Sequence, residues 1–197
     1  MSFISTVPED KAQGDVKQLY DENRQAMGYV PNYVKAFSQR PQVMRAWGQL
    51  LGSIRGNMDL RRYELVTLAA ARALKSSYCM LAHGSVLRQK FYTPEQLTLI
   101  ARDYRTADLT AAEVAMMAYA EQIARDATAI TQEDIDALRE HGFSDPEIFD
   151  IAATATARCF FSKTLDALGA RADEVYLGLE EGLRETLIVG RPIDGQY

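Results

Sequence analysis

Cysteine and histidine are scarce in this chain of 197 residues, which has two of each: Cys79 and Cys159, His83 and His141. So few cysteines exclude a disulfide framework, and so few histidines leave no ligand set for a structural zinc site. No apolar stretch approaches the roughly 18 uninterrupted residues that a membrane-spanning helix needs. The polar start MSFISTVPEDK lacks the apolar centre of a signal peptide, so a cytoplasmic protein is expected. Lysine and arginine form no run, and the formal net charge is −5. That balance argues against nucleic acid or an anionic membrane as partner. Nothing in these residues implies a metal or a bound cofactor, so any chemistry must rest on very few side chains.

What is present is ordinary globular usage, 47% hydrophobic and 25% charged, and enough length for one domain with a sizeable core. Strict apolar and polar alternation is rare, whereas spacings of three and four recur throughout, which predicts an all-α fold. Helices are expected over Asp15 to Met27, closed by Gly28 and Pro31, and from Pro41 to about Ile54, ended by Gly56-Asn57. A third begins near Asp59 and carries LVTLAAARAL. Lys75-Ser76-Ser77 interrupts it before a fourth running to about Phe91. Thr93 with Gln96, Thr110 with Glu113, and Ser144 with Glu147 are capping boxes ahead of further helices, and a short helix is expected at Gln132 to Glu140. The run from Ile151 to Phe161 is almost wholly apolar and reads as the central strut. From Glu180 to Tyr197 the periodicity fades, predicting an extended C-terminal arm of the kind that lies on a neighbouring subunit.

Cys79 is the candidate nucleophile. Ser76 and Ser77 are good N-caps, which puts Cys79 in the first turn of its helix, where free backbone N–H groups and the helix dipole favour a thiolate. His83 follows at i+4, on the same face one turn on, so a base stands beside a nucleophile. Ala82 and Val86 share that face and make the surroundings partly dry. Dryness raises a thiol pKa and an imidazolium lowers it, so spacing alone leaves the outcome open.

Glu64 interrupts the apolar stripe between Leu60 and Leu68 and therefore needs a partner. If the two helices form an antiparallel hairpin around Lys75-Ser76-Ser77, Glu64 reaches His83 and completes a Cys–His–Glu relay. A salt bridge with Arg61, Arg62 or Arg72 is the alternative. Cys79 itself has a plainer reading as a small core residue. Cys159, inside ATARCFFSK without cap or histidine, is read as core, and His141 at a helix end as a cation suited to the dipole.

At these residues the sequence resembles the carboxymuconolactone decarboxylase superfamily, in its AhpD-like (alkyl hydroperoxide reductase D-like) peroxidase-related branch. That family has a glutamate, a Cys-x-x-Cys beginning twelve residues later, and a histidine four residues after the second cysteine; Glu64, Ser76, Cys79 and His83 occupy those positions. GYVPN, TAAEVAMMAYAEQIARD and HGFSDPEIFDIAATATARCFF extend the likeness over most of the chain, with the core motif in 60–91. Ser76 stands where the family has its first, resolving cysteine, and Cys159 substitutes for it only if its Cα comes within roughly 7 Å of that of Cys79.

The resemblance implies an AhpD-like helical bundle over 1–197 and a hydroperoxide-reducing activity in which Cys79 is the peroxide-reactive thiol, His83 shuttles the proton and Glu64 positions His83. The partners implied are a hydroperoxide or other small molecule, an external thiol reductant, and further copies of the chain as a dimer, trimer or hexamer. Two other readings stay open at this level: proton transfer on a lactone or keto acid by Glu64 and His83, and a catalytically silent oligomer or redox sensor.

Overall fold

The computed structural model describes residues 2–196; Met1 and Tyr197, the outermost residues of the start and tail discussed above, lie outside it. The helices are α1 (Gly14–Met27), α2 (Asn32–Ala36), α3 (Pro41–Arg55), α4 (Leu60–Ala73), α5 (Ser77–Lys90), α6 (Pro94–Asp103), α7 (Ala111–Asp126), α8 (Gln132–Glu140), α9 (Asp145–Ala167) and α10 (Glu181–Leu187), with short 3-10 turns between some of them. There is no strand among the described residues. No helix among them is long and apolar enough to cross a membrane.

Local chemistry sets the boundaries. The capping boxes at Thr93, Thr110 and Ser144 form, each satisfying N–H groups that a helix start leaves unpaired. Gly28 ends α1 in the left-handed conformation, φ 84°, with its N–H on the Arg24 carbonyl at 2.8 Å. At the α4–α5 junction the Ser76 N–H reaches back to the Ala71 carbonyl and the Lys75 N–H to that of Arg72, both at 3.0 Å. This paired pattern is a Schellman closure, and it requires a left-handed residue at Lys75, whose φ is 56°. The chain reverses there, so α4 and α5 pack as the antiparallel hairpin on which the Glu64–His83 reading is conditional.

The central helix is α4, which packs on α5, α7 and α9 and is buried at every position from Tyr63 to Ala71. The apolar run of α9 is therefore not the central strut. Helix α9 buries Ile151, Ala155 and Leu165 but leaves Phe160 47% exposed beside an apolar groove toward α3 that Ala153 and Ala157 also line. One apolar core runs from Ala36 to Ile193 and draws on both halves of the chain, and a smaller one joins Leu19, Tyr20, Val30 and Val34.

The final segment differs from the expected extended arm. Residues 181–187 are helical, and Leu187 packs over Gly84, where a Cβ would meet it at 2.8 Å. The remainder folds onto its own chain, with the Gly190 N–H donating to Ser77 Oγ at 2.8 Å and the Asp194 N–H to the Ala172 carbonyl at 2.8 Å. Leu183, Leu187 and Ile193 are buried there, and burying that apolar surface outweighs the weak local periodicity.

Candidate active site

Cys79 is the third residue of α5, within its first turn, and is 1% exposed. The serines before it do not cap in the expected way. Ser76 is the N-cap residue, but its hydroxyl makes no cap hydrogen bond; it lies on the side of Asp166, a half-buried carboxyl whose pKa burial raises and Ser76 and Arg191 oppose. Ser77 uses its hydroxyl to accept from Gly190. The hydroxyl that meets the Cys79 sulfur comes instead from α9, where Ser162 Oγ donates to Sγ at 3.1 Å.

Glu64 takes the first of the two partners left open by its spacing. Its Oε2 lies 2.5 Å from His83 Nδ1, and the carboxylate side chain is 3% exposed. The three arginines are engaged elsewhere: Arg61 with Glu113 at 2.8 Å, Arg62 with Glu147 at 3.0 Å, and Arg72 with the Arg102 carbonyl. On the other side of the imidazole, Arg158 Nη1 lies 3.0 Å from His83 Nε2. A guanidinium can only donate, so Nε2 is the acceptor and the proton sits on Nδ1, donated to Glu64. His83 is therefore held as the neutral Nδ1–H tautomer. Burial pushes its pKa below the ordinary 6.5, and the nearby Arg158 and Arg55 charges add to the fall while Glu64 opposes it.

These groups share a cavity of about 390 Å³ lined by Cys79, His83, Glu64 and Arg158, with Tyr63, Tyr78, Phe161 and the single tryptophan, Trp47, among its walls. Trp47 stacks on Phe161 with centroids 5.1 Å apart, and the Arg158 guanidinium lies over both rings at 5.1 and 5.6 Å. Tyr78 is pinned by hydrogen bonds. Its hydroxyl donates to Asp173 and accepts the Tyr33 N–H at 3.1 Å, while Asp173 also accepts the Asn32 N–H at 2.7 Å. The GYVPN segment thus contributes backbone that fixes one wall. Ser76 does not line the cavity.

Cys159 is free, as is Cys79. It follows Arg158 by one residue, about 100° around the helix, and it does not line the cavity. Its thiol is pushed up in pKa by burial, with Lys163 opposing. His141 caps the end of α8, away from the cavity. No group of three or more potential metal-ligating His, Cys, Asp or Glu side chains occurs among the described residues. Arg158 and Ser162 were missed from sequence although a signal existed. Arg158 interrupts the apolar run IAATATARCFF just as Glu64 interrupts its own stripe, and Ser162 follows at i+4 on the same face.

Comparison with known proteins places the fold that carries these residues. The profile of the carboxymuconolactone decarboxylase family matches residues 41–122, which hold Glu64, Ser76, Cys79 and His83 but neither Arg158 nor Ser162. A peroxidase-related protein of Ralstonia eutropha, described as an alkylhydroperoxidase AhpD core, superposes with a TM-score of 0.80 at 26% identity, over 89% of this chain and 94% of that one. A second peroxidase-related protein, from Silicibacter sp., gives a TM-score of 0.75 at 24% identity, over 89% and 91% of the two chains. A debrominase solved as a cysteine-to-alanine variant with 2,3,4-tribromopyrrole shares the fold at a TM-score of 0.73 and 18% identity, over 95% and 98%. Among curated proteins no relative matches at a significant level.

Proposed function

The chain belongs to the carboxymuconolactone decarboxylase superfamily as an AhpD-like protein, and on that premise we propose that it reduces hydroperoxides through Cys79 alone. The observation that carries the reading is the Glu64–His83 hydrogen bond of 2.5 Å in the wall of the same cavity as the Cys79 sulfur. In the reaction the Cys79 thiolate attacks the terminal peroxide oxygen and the O–O bond breaks. The Cys79 thiol proton, taken up at the basic Nε2 of His83 as the thiolate forms, is returned to the departing alkoxide, so the alcohol leaves neutral and a sulfenic acid remains on Cys79. One external thiol condenses with that sulfenic acid, releasing water and forming a mixed disulfide. A second thiol displaces Cys79 and regenerates it. Ser162 donates to the sulfur and fixes its position, and Glu64 fixes the imidazole tautomer.

An external thiol is needed because Ser76 supplies no resolving sulfur and Cys159 does not line the cavity. We further read the chain as a homo-oligomer. Support comes from the apolar groove of about 490 Å³ between α3 and α9, where Val43, Leu50 and Phe160 are exposed. Light scattering on the purified protein tests that part.

The activity is tested by following cumene hydroperoxide consumption with dithiothreitol as reductant, and Cys79 oxidation by mass spectrometry. Turnover is expected in the native protein, none in Cys79→Ser, and a fall of about 10²-fold or more in His83→Ala, the usual loss on removing a general acid–base. An unmodified Cys79 with no peroxide consumed overturns the reading in favour of a silent oligomer. If instead Cys79→Ser retains turnover of a lactone or keto acid and His83→Ala loses it, proton transfer is the function.

A further inference from the structure

Arg158 carries more bonding capacity than its surroundings use. The residue is 2% exposed, donates from Nη1 to His83 and from Nη2 to the Tyr63 hydroxyl at 3.3 Å, and leaves its Nε–H without a partner. It forms no ion pair with a described carboxylate, whereas the buried Glu113 pairs with Arg61 at 2.8 Å and the buried Glu121 with Arg105 at 2.9 Å and Arg125 at 2.5 Å. The anion attached to the same network is Glu64, and it sits across the imidazole, already accepting from Nδ1. Arg55, over the Tyr63 ring at 5.6 Å, lines the same cavity, so two guanidiniums face one carboxylate there.

A buried cation without a counter-ion is costly unless an anion completes it, and a guanidinium fork matches a carboxylate in shape. The aromatic walls around it suit an apolar or planar body.

We propose that Arg158 is the receptor for the carboxylate of a substrate whose apolar or aromatic body lies against Trp47 and Phe161. This rests on the cavity being the reaction site and names the substrate class as acid-bearing organic hydroperoxides. The acid seats on the guanidinium and the peroxide points toward Cys79. Arg158 and Trp47 come from α9 and α3 and are brought together only by folding, and Arg158 lies outside the segment matched by the family profile.

Trp47 provides the readout, since it is the single tryptophan and lies under the guanidinium. Benzoate is titrated into the native protein while Trp47 fluorescence is followed, with benzamide as the neutral counterpart of the same shape. Benzoate is expected to saturate the signal and benzamide to bind at least about ten-fold more weakly, the margin of a charge-assisted pair over a neutral one. Arg158→Lys is expected to weaken benzoate, and Arg158→Met to remove the preference altogether. Equal binding of the two ligands to the native protein overturns the proposal without any variant, so a misfolded Arg158→Met leaves it testable.

Turnover separates this proposal from the peroxidase reading. If a neutral hydroperoxide and an acid-bearing one have equal kcat/KM, the substrate class is wrong and the peroxidase stands. If benzoate binds through Arg158 and no hydroperoxide is consumed, the receptor stands and the peroxidase falls.

Discussion

Replacing Glu64 by glutamine keeps the volume and an oxygen able to accept the His83 Nδ1–H, but removes the charge. Hydrogen bonds to charged groups contribute about 1.5–3 kcal/mol and neutral ones about 0.5–1.5, so the exchange itself costs about 1–1.5 kcal/mol. A second cost follows from Arg158, because Glu64 is the carboxylate tied to it through one imidazole and Arg158 has no other among the described residues. Leaving that guanidinium less compensated raises the total to about 2–3 kcal/mol, since uncompensated buried charge is strongly destabilising. For a chain of this length that corresponds to a Tm lower by about 4–12 °C.

The assay is thermal unfolding by circular dichroism at pH 8, repeated for Glu64→Gln, Arg158→Met and the double variant. Coupling through the shared ring makes the double variant less destabilised than the sum, by about 0.5–3 kcal/mol. Strict additivity, or a Glu64→Gln melt within a degree or two of the native one, refutes the view that carboxylate, imidazole and guanidinium form one line of charge.

His83 is held below its ordinary pKa of 6.5 by burial, so as pH falls below that value the unfolded chain binds a proton that the folded chain resists. Its contribution is full above about pH 6.5 and is lost toward the lower folded value; urea midpoints should decline on that side, and a slope unchanged in His83→Gln would assign the decline to other groups. Lys75 occupies a left-handed conformation, and Lys75→Gly is expected to stabilise by about 0.5–1 kcal/mol, seen as a Tm higher by about 1–4 °C. A drop in Tm would show that the lysine side chain contributes more than its backbone strain removes. Gly190→Ala places a Cβ against the Lys75 carbonyl oxygen and disturbs the Gly190–Ser77 hydrogen bond. A loss of about 1–3 kcal/mol, with faster proteolysis of the C-terminal segment, is expected, and unchanged melting and proteolysis would mean the tail is not seated there.

The sequence by itself determined the longer helices, the capping boxes at Thr93, Thr110 and Ser144, and the residues spaced four apart on one helix, because these depend on local period and on side chains that bond within one turn. Cys79 and His83 share a face of α5 for that reason, and Lys75-Ser76-Ser77 marks the reversal that brings α4 alongside. Tertiary structure decided which partner each polar side chain met. Glu64 had three arginines within reach in sequence and took His83. The Cys79 sulfur met Ser162 rather than Ser76, and the tail turned onto its own chain. It also made α4 the centre of the bundle, because α5, α7 and α9 all pack around it while α9 keeps one face open beside α3. A buried charge announces from sequence that it needs a partner; which one it finds depends on packing between helices far apart along the chain.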